Sequence, residues 1–236
     1  NGVECDNRMI VSRRQFVAGS AALALVPARA FAAVDENQLR RIAHRELSRN
    51  QSTIWLRDTV GIADFSRPSS EPRFFVVDMI SGQVRPFLVA HGRGSDPEHE
   101  GVVRRFSNEF ESLASSRGAF LTHTWYEGIH GPSMRLYGLD PDNSNAEARA
   151  IVVHGAWYAN PDMIEKWGKL GRSDGCFAFP EDDLMQIIAR VGPGRLIFSD
   201  KLSDAFCMLP VYTNHVNLGF NKGTLLKDPK KLLTGT

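Results

Sequence analysis

The sequence predicts a mainly β domain with flanking helices, an α+β fold, over about residues 53–200. Three observations predict it. Short runs of apolar, β-branched and aromatic residues recur between Gly, Pro and Asx clusters, which marks strands. Helical periodicity is concentrated in two segments, one before this region and one near its end. The composition, 42% hydrophobic and 23% charged in 236 residues, is that of a globular chain long enough for one domain plus extensions.

The elements follow in order. "DENQLRRIAHRELSRN" (35–50) sets Leu39, Ile42, Ala43 and Leu47 at helical spacing behind an acidic start, so a helix is expected within 33–52. Strands are expected at "RFFVVDM" (73–79), "QVRPFLVAH" (83–91), "AFLTHTWY" (119–126), "SMRLYGL" (133–139) and "AIVVHG" (150–155). Ser81-Gly82 joins the first two as a hairpin. Residues 92–118 form a long polar connection, and loops of that length in compact domains usually carry function. A second helix is expected after the cysteine at 176. Pro180 suits its first position, Glu181, Asp182 and Asp183 complement its positive end, and Leu184, Ile187, Ile188 and Val191 form its buried stripe. Gly192-Pro193-Gly194 ends that helix, and "RLIFS" (195–199) is the last strand.

The two ends read differently from the domain. Ser12-Arg13-Arg14-Gln15-Phe16, the apolar run that follows and Ala-x-Ala sites ending at Ala30 or Ala32 predict a twin-arginine signal peptide within residues 1–32. Met9 stands immediately before it, which would place residues 1–8 upstream of the natural start. Export implies a periplasmic or cell-envelope setting and a mature chain without a membrane span. Residues 201–236 have their own turn chemistry and too few residues for a core of their own. They resemble a fragment of a YdhG-like uncharacterised domain. The formal net charge of +1 gives no electrostatic footprint for nucleic acid.

Chemistry is suggested by "VVHGAWYANPDMIEKWGKLGRSDGCFAFP" (152–180). Loss of the leader would leave Cys176 and Cys207 in an oxidising compartment, where a structural disulfide is one reading. The other is a nucleophile. His154 ends an apolar strand, and a nearby imidazole could take the proton of Cys176 to give a thiolate. Gly175 lets the backbone approach a substrate, and the amides of Gly175 and Cys176 are candidate donors to an oxyanion.

The order strand, His-Gly, about twenty residues, Ser-x-Gly-Cys, helix resembles the YkuD-like L,D-transpeptidases, in particular the murein L,D-transpeptidase branch with a long N-terminal segment. The resemblance covers roughly residues 53–200 and includes "VAHGRGSDP" (89–97), "FSN" (106–108), "SSRGAFLT" (115–122), "YEGIHGPSMRLYGLD" (126–140), "ARAIVVHGAWY" (148–158) and "GRSDGCFAF" (171–179). It implies a β-sandwich-like catalytic domain, Cys176 as nucleophile and His154 as general base, with Ser173 matching the motif serine. It also implies attack on the L,D-peptide bond of a peptidoglycan tetrapeptide stem, release of D-alanine, and transfer of the thioester to an amine. The mechanism calls for no metal or organic cofactor.

Asp174 stands where the motif has histidine, and Phe177-Ala178 replace Ile-Arg. Arg172 is expected to offset Asp174 or to bind a substrate carboxylate, and His130, Tyr126 and Arg135 are further candidates to line the cleft. Other readings remain open. Water as acceptor would make an L,D-carboxypeptidase or thiol hydrolase. Five histidines between 91 and 154 invite a zinc hydrolase, although no compact ligand motif appears. A non-catalytic cell-wall binding module is the last.

Overall fold

The computed structural model describes residues 34–202, together with the backbone of a two-residue strand pair at Cys207–Met208 and Gly219–Phe220. The leader and most of the tail lie outside the described residues, and so does the side chain of Cys207. Among the described residues no helix is long and apolar enough to cross a membrane.

Helix α1 (Glu36–Arg49) is capped by Asp35, whose side chain accepts from the Gln38 amide at 3.0 Å. Its buried face is the predicted one, Leu39, Ile42, Ala43 and Leu47. That face packs on strands β1 (Thr59–Asp64), β2 (Phe74–Asp78) and β8 (Leu196–Asp200) through Val60, Ile62, Phe75, Val77, Leu196 and Phe198. Arg49 also reaches Asp140 with its guanidinium (Nη2–Oδ2 2.9 Å), which ties the end of the helix to the sheet.

The remaining strands are β3 (Val84–Phe87), β4 (Gly118–Gly128), β5 (Gly131–Gly138), β6 (Val152–Gly155) and β7 (Phe177–Phe179). All eight form one mixed sheet in the order β3-β2-β1-β8-β4-β5-β6-β7. The pairs β1–β8 and β6–β7 are parallel, and the others are antiparallel. The Ser81-Gly82 turn joins β2 to β3 as expected: Asp78 accepts the amides of Ile80 and Ser81 on its side chain, and Gly82 has φ +74°.

The layers of the β-sandwich belong to a single sheet that bends over on itself. Phe74 on β2 meets Phe179 on β7 edge to face, with ring centroids 4.8 Å apart, although five strands separate them in the order. Past β3 the chain bridges to β7 through Ala90 and Ala178. The enclosed core holds Phe65, Phe74, Phe120, Met134, Val153, Phe177 and Phe179. Helix α3 (Glu181–Arg190) closes it with Leu184, Ile187 and Ile188. Pro180 is the residue just before that helix rather than its first.

Two strands were not expected from the sequence. In β1, "TVGIAD", Gly61 interrupts the apolar run. It is required there because a Cβ would stand 2.7 Å from the Phe74 ring. Strand β7 has only three residues, too few to show a period.

Candidate active site

His154 is the third residue of β6 and is buried. The crossover from β6 to β7 runs through a 3-10 turn (Trp157–Ala159) and helix α2 (Asp162–Trp167) and returns alongside β6. In the parallel register His154 faces Ala178 and Val153 faces Phe177. Phe177 and Phe179 point into the core, so alternation turns Ala178 to the face that carries His154, and Cys176 stands in the bend that leads into β7.

The backbone before Cys176 is tightly specified. Gly175 has φ +120°, and a Cβ there would meet Ile151 Cδ1 at 2.7 Å and the Ala114 carbonyl at 2.8 Å. Ser173 is buried and staples the turn. Its hydroxyl donates to the Cys176 carbonyl (2.7 Å) and accepts from the Gly175 amide (3.2 Å), and its own amide donates to the His91 carbonyl (2.9 Å). Ser173 thus holds the loop that carries Cys176. The oxyanion expectation changes accordingly: the Gly175 amide is committed to Ser173, which leaves the Cys176 amide as the candidate donor.

The thiol and the imidazole are both neutral at rest. Cys176 is a free cysteine, and its S–H donates to the Ala150 carbonyl at 3.5 Å rather than to His154. Burial pushes the thiol up to about 11; the Val152 amide and the Arg149 charge pull it down, and Asp174 pushes it up. The His154 Nδ1 lies 2.8 Å from the Gly155 carbonyl, which can only accept. That contact places the proton on Nδ1 and leaves Nε2 as the bare nitrogen. Burial lowers His154, the Gly155 carbonyl opposes this, and His130 adds to the lowering.

The structure gathers three of the four cleft candidates on this face. His130 lies in the hairpin between β4 and β5, and its ring stacks on His154 at 4.3 Å between centroids. Ser133 pairs with His154 in register, and Tyr126 pairs with Ser133. Arg135 lies two residues along from Ser133 and sets its guanidinium 4.6 Å over the Tyr126 ring. A cavity of about 200 Å³ opens beside them, lined by Trp125, Tyr126, Pro132, Ser133, Met185 and Ile188 among others.

Arg172 is placed elsewhere. Its guanidinium donates to the Asp96 carbonyl and to the Pro97 carbonyl (3.1 Å). It does not offset Asp174; Arg93 does, with Nε 2.8 Å from Asp174 Oδ1. Arg93 was missed because no spacing rule links position 93 to 174. The bridge between Gly92 and Ser173 creates the contact. Tyr158 was missed for the same reason. Burial raises its phenol, and the charges of Cys176 and Asp174 raise it further.

The dispersed histidines have other employment. His91, fully buried, accepts from Arg73 at Nδ1 (2.7 Å) and faces Asp96 with Nε2 (3.3 Å), while His99 Nε2 donates to the Leu170 carbonyl (3.0 Å). Among the described residues no three His, Cys, Asp or Glu side chains converge to hold a metal ion.

A family model described as L,D-transpeptidase catalytic domain matches residues 33–199. No curated protein matches the chain. Among solved structures it is similar to an L,D-transpeptidase from Mycobacterium smegmatis (16% identity, TM-score 0.38, 61% of this chain and 58% of that one). It is also similar to L,D-transpeptidase 3 from Mycobacterium tuberculosis in complex with a faropenem-derived adduct (14% identity, TM-score 0.39, 61% of this chain and 60% of that one). The chain therefore spans less than two thirds of either.

Proposed function

The chain belongs to the L,D-transpeptidase catalytic domain family, and we propose that it is a cysteine-dependent acyltransferase acting on peptidoglycan stem peptides in the cell envelope. One observation supports this most: parallel pairing sets His154 of β6 beside Ala178 of β7, the strand that Cys176 leads into, with the Gly155 carbonyl fixing the His154 tautomer.

The neutral resting pair implies general-base catalysis rather than a standing thiolate. A χ1 rotation releases the sulfur from Ala150 and turns it toward the carbonyl carbon of the L,D-peptide bond. His154 Nε2 takes the thiol proton as the C–S bond forms, and the Gly155 carbonyl stabilises the imidazolium through Nδ1–H. The Cys176 amide is the donor available to the tetrahedral oxyanion. Collapse expels the amine of D-alanine, which leaves with the proton from His154, and a thioester remains. The amine of a second stem attacks it, gives its proton to His154 and frees the thiol as a new peptide bond forms. The predicted leader supports export by the twin-arginine route to the compartment where that substrate lies.

Incubation of the mature protein with a disaccharide-tetrapeptide, followed by mass spectrometry, tests the reading. The expected products are a cross-linked dimer and free D-alanine. Tripeptide without cross-link would assign water as the acceptor and make the enzyme an L,D-carboxypeptidase. Cys176→Ala and His154→Ala should each abolish the thioester, and their effects should not add because the two act as one unit. Full activity in His154→Ala would overturn the assignment of the base.

A further inference from the structure

Arg149 precedes β6 and is half-buried. Its guanidinium is committed to one segment of the chain, residues 107–116. Nη1 donates to the Ser107 carbonyl (2.7 Å) and the Ser116 hydroxyl (2.6 Å). Nη2 donates to the Ser112 hydroxyl (3.0 Å) and the Ala114 carbonyl (2.6 Å). Four of the five N–H donors of an arginine are thereby used, so a bidentate grip on a substrate carboxylate is not available.

That segment abuts the nucleophile's turn. The Ala114 carbonyl and Arg149 Nη2 both stand over the α-carbon of Gly175, 2.8 and 3.4 Å from where a Cβ would be. The Ser115 hydroxyl donates to the Gly175 carbonyl (3.4 Å). Glu111 and Leu113 in the same segment hold φ of +55° and +54°, a conformation that costs non-glycine residues about 1 kcal/mol or more each. Such a segment keeps its shape only if something fixes it, and the arginine fork does so beside Gly175.

We propose that Arg149 is a positioning residue of this site, which clasps the 107–116 segment against Gly175-Cys176 and sets a fixed positive charge beside the developing thiolate. Charge and clasp are separable contributions. The charge favours the anionic sulfur, and the Cys176 charge in turn favours the guanidinium against its burial. The clasp fixes the wall on which the Gly175 backbone rests. The inference deepens the acyltransferase reading, but its test needs no peptidoglycan, so the two fail separately.

The experiment is iodoacetamide alkylation of Cys176 from neutral to alkaline pH, followed by peptide mapping, in wild type, Arg149→Lys and Arg149→Gln. Loss of one charge close to a thiol shifts its titration by about one unit, so Arg149→Gln should alkylate about tenfold more slowly at each pH below the midpoint. Arg149→Lys keeps the charge but not the four-bond clasp, so its profile should fall between those of wild type and Arg149→Gln. A wild-type profile in Arg149→Gln would overturn the proposal, as would a lysine variant as slow as the glutamine one. If Arg149→Gln does not fold, Arg149→Lys alone still decides: a profile displaced by a full unit refutes the role of the charge.

Discussion

Arg93 decides how much of the negative charge of Asp174 the thiol experiences. Asp174 pushes Cys176 up, and the Arg93 ion pair offsets that charge. Both partners are exposed, so the effect is small and screened by salt. Arg93→Ala should slow alkylation of Cys176 about two- to threefold in low salt, and the difference should close as salt is raised. Asp174→Asn should speed it, and the double variant should match Asp174→Asn alone. Arg172→Ala should show no such salt dependence, because its guanidinium faces the carbonyls of Asp96 and Pro97. A salt-dependent slowing in Arg172→Ala with none in Arg93→Ala would reverse this assignment. His154 and Cys176 stood out in the sequence as candidates because His-Gly and Ser-x-Gly-Cys are local patterns. Arg93, Arg149 and Tyr158 did not, since their contacts arise only through a bridge, a fork or a crossover between distant positions.

Strand β7 does two jobs in three residues. Its Phe177 ring stacks with Phe65 (6.1 Å) and meets Phe120 edge to face (5.5 Å), and Cys176 immediately precedes it. The large aromatic at position 177 therefore anchors the chain next to Cys176 in the core. Phe177→Ala should cost about 3–5 kcal/mol in urea denaturation and should reduce acylation even where the variant remains folded. A loss below about 1 kcal/mol would show that the core closes without it. The longer elements were legible from periodicity: α1 and α3 bury the predicted stripes. Strand β1 was hidden by Gly61 and β7 by its length, and β7 becomes a strand because β6 lies beside it.

At the scale of the whole molecule, the buried Arg73–His91–Asp96 cluster makes stability depend on pH. Burial pushes His91 down to about 4; Asp96 opposes this, while Arg73 and Arg172 add to it. Burial pushes Arg73 down to about 9, with the charges of Asp64 and Asp96 opposing. Burial raises Asp96, but the His91 N–H and the amides of Glu100 and Gly101 outweigh it and hold the carboxyl well below the usual range. The unfolded chain binds a proton on His91 near pH 6.5, whereas the folded protein does not until about pH 4. The His91 contribution to stability should therefore be flat above that window and fall as pH drops through it, by up to about 3 kcal/mol. His154 contributes a slope of the same sign, so the measurement is the difference between wild type and His91→Gln in denaturant titrations at several pH values. The variant should lose most of the slope. An equal slope in both would assign the acid sensitivity to other groups.

The sheet's own seam has a further consequence. Its central pairs join β1 to β8 and β8 to β4, so the first and last strands of the domain lie side by side in the middle. The site's strands β6 and β7 pair across a short local crossover, but the layer beneath them is incomplete until Leu196–Asp200 has docked. Such a topology has high contact order, and folding waits on the closure of a loop nearly as long as the domain. A chain still emerging from the ribosome therefore carries an unseamed sheet.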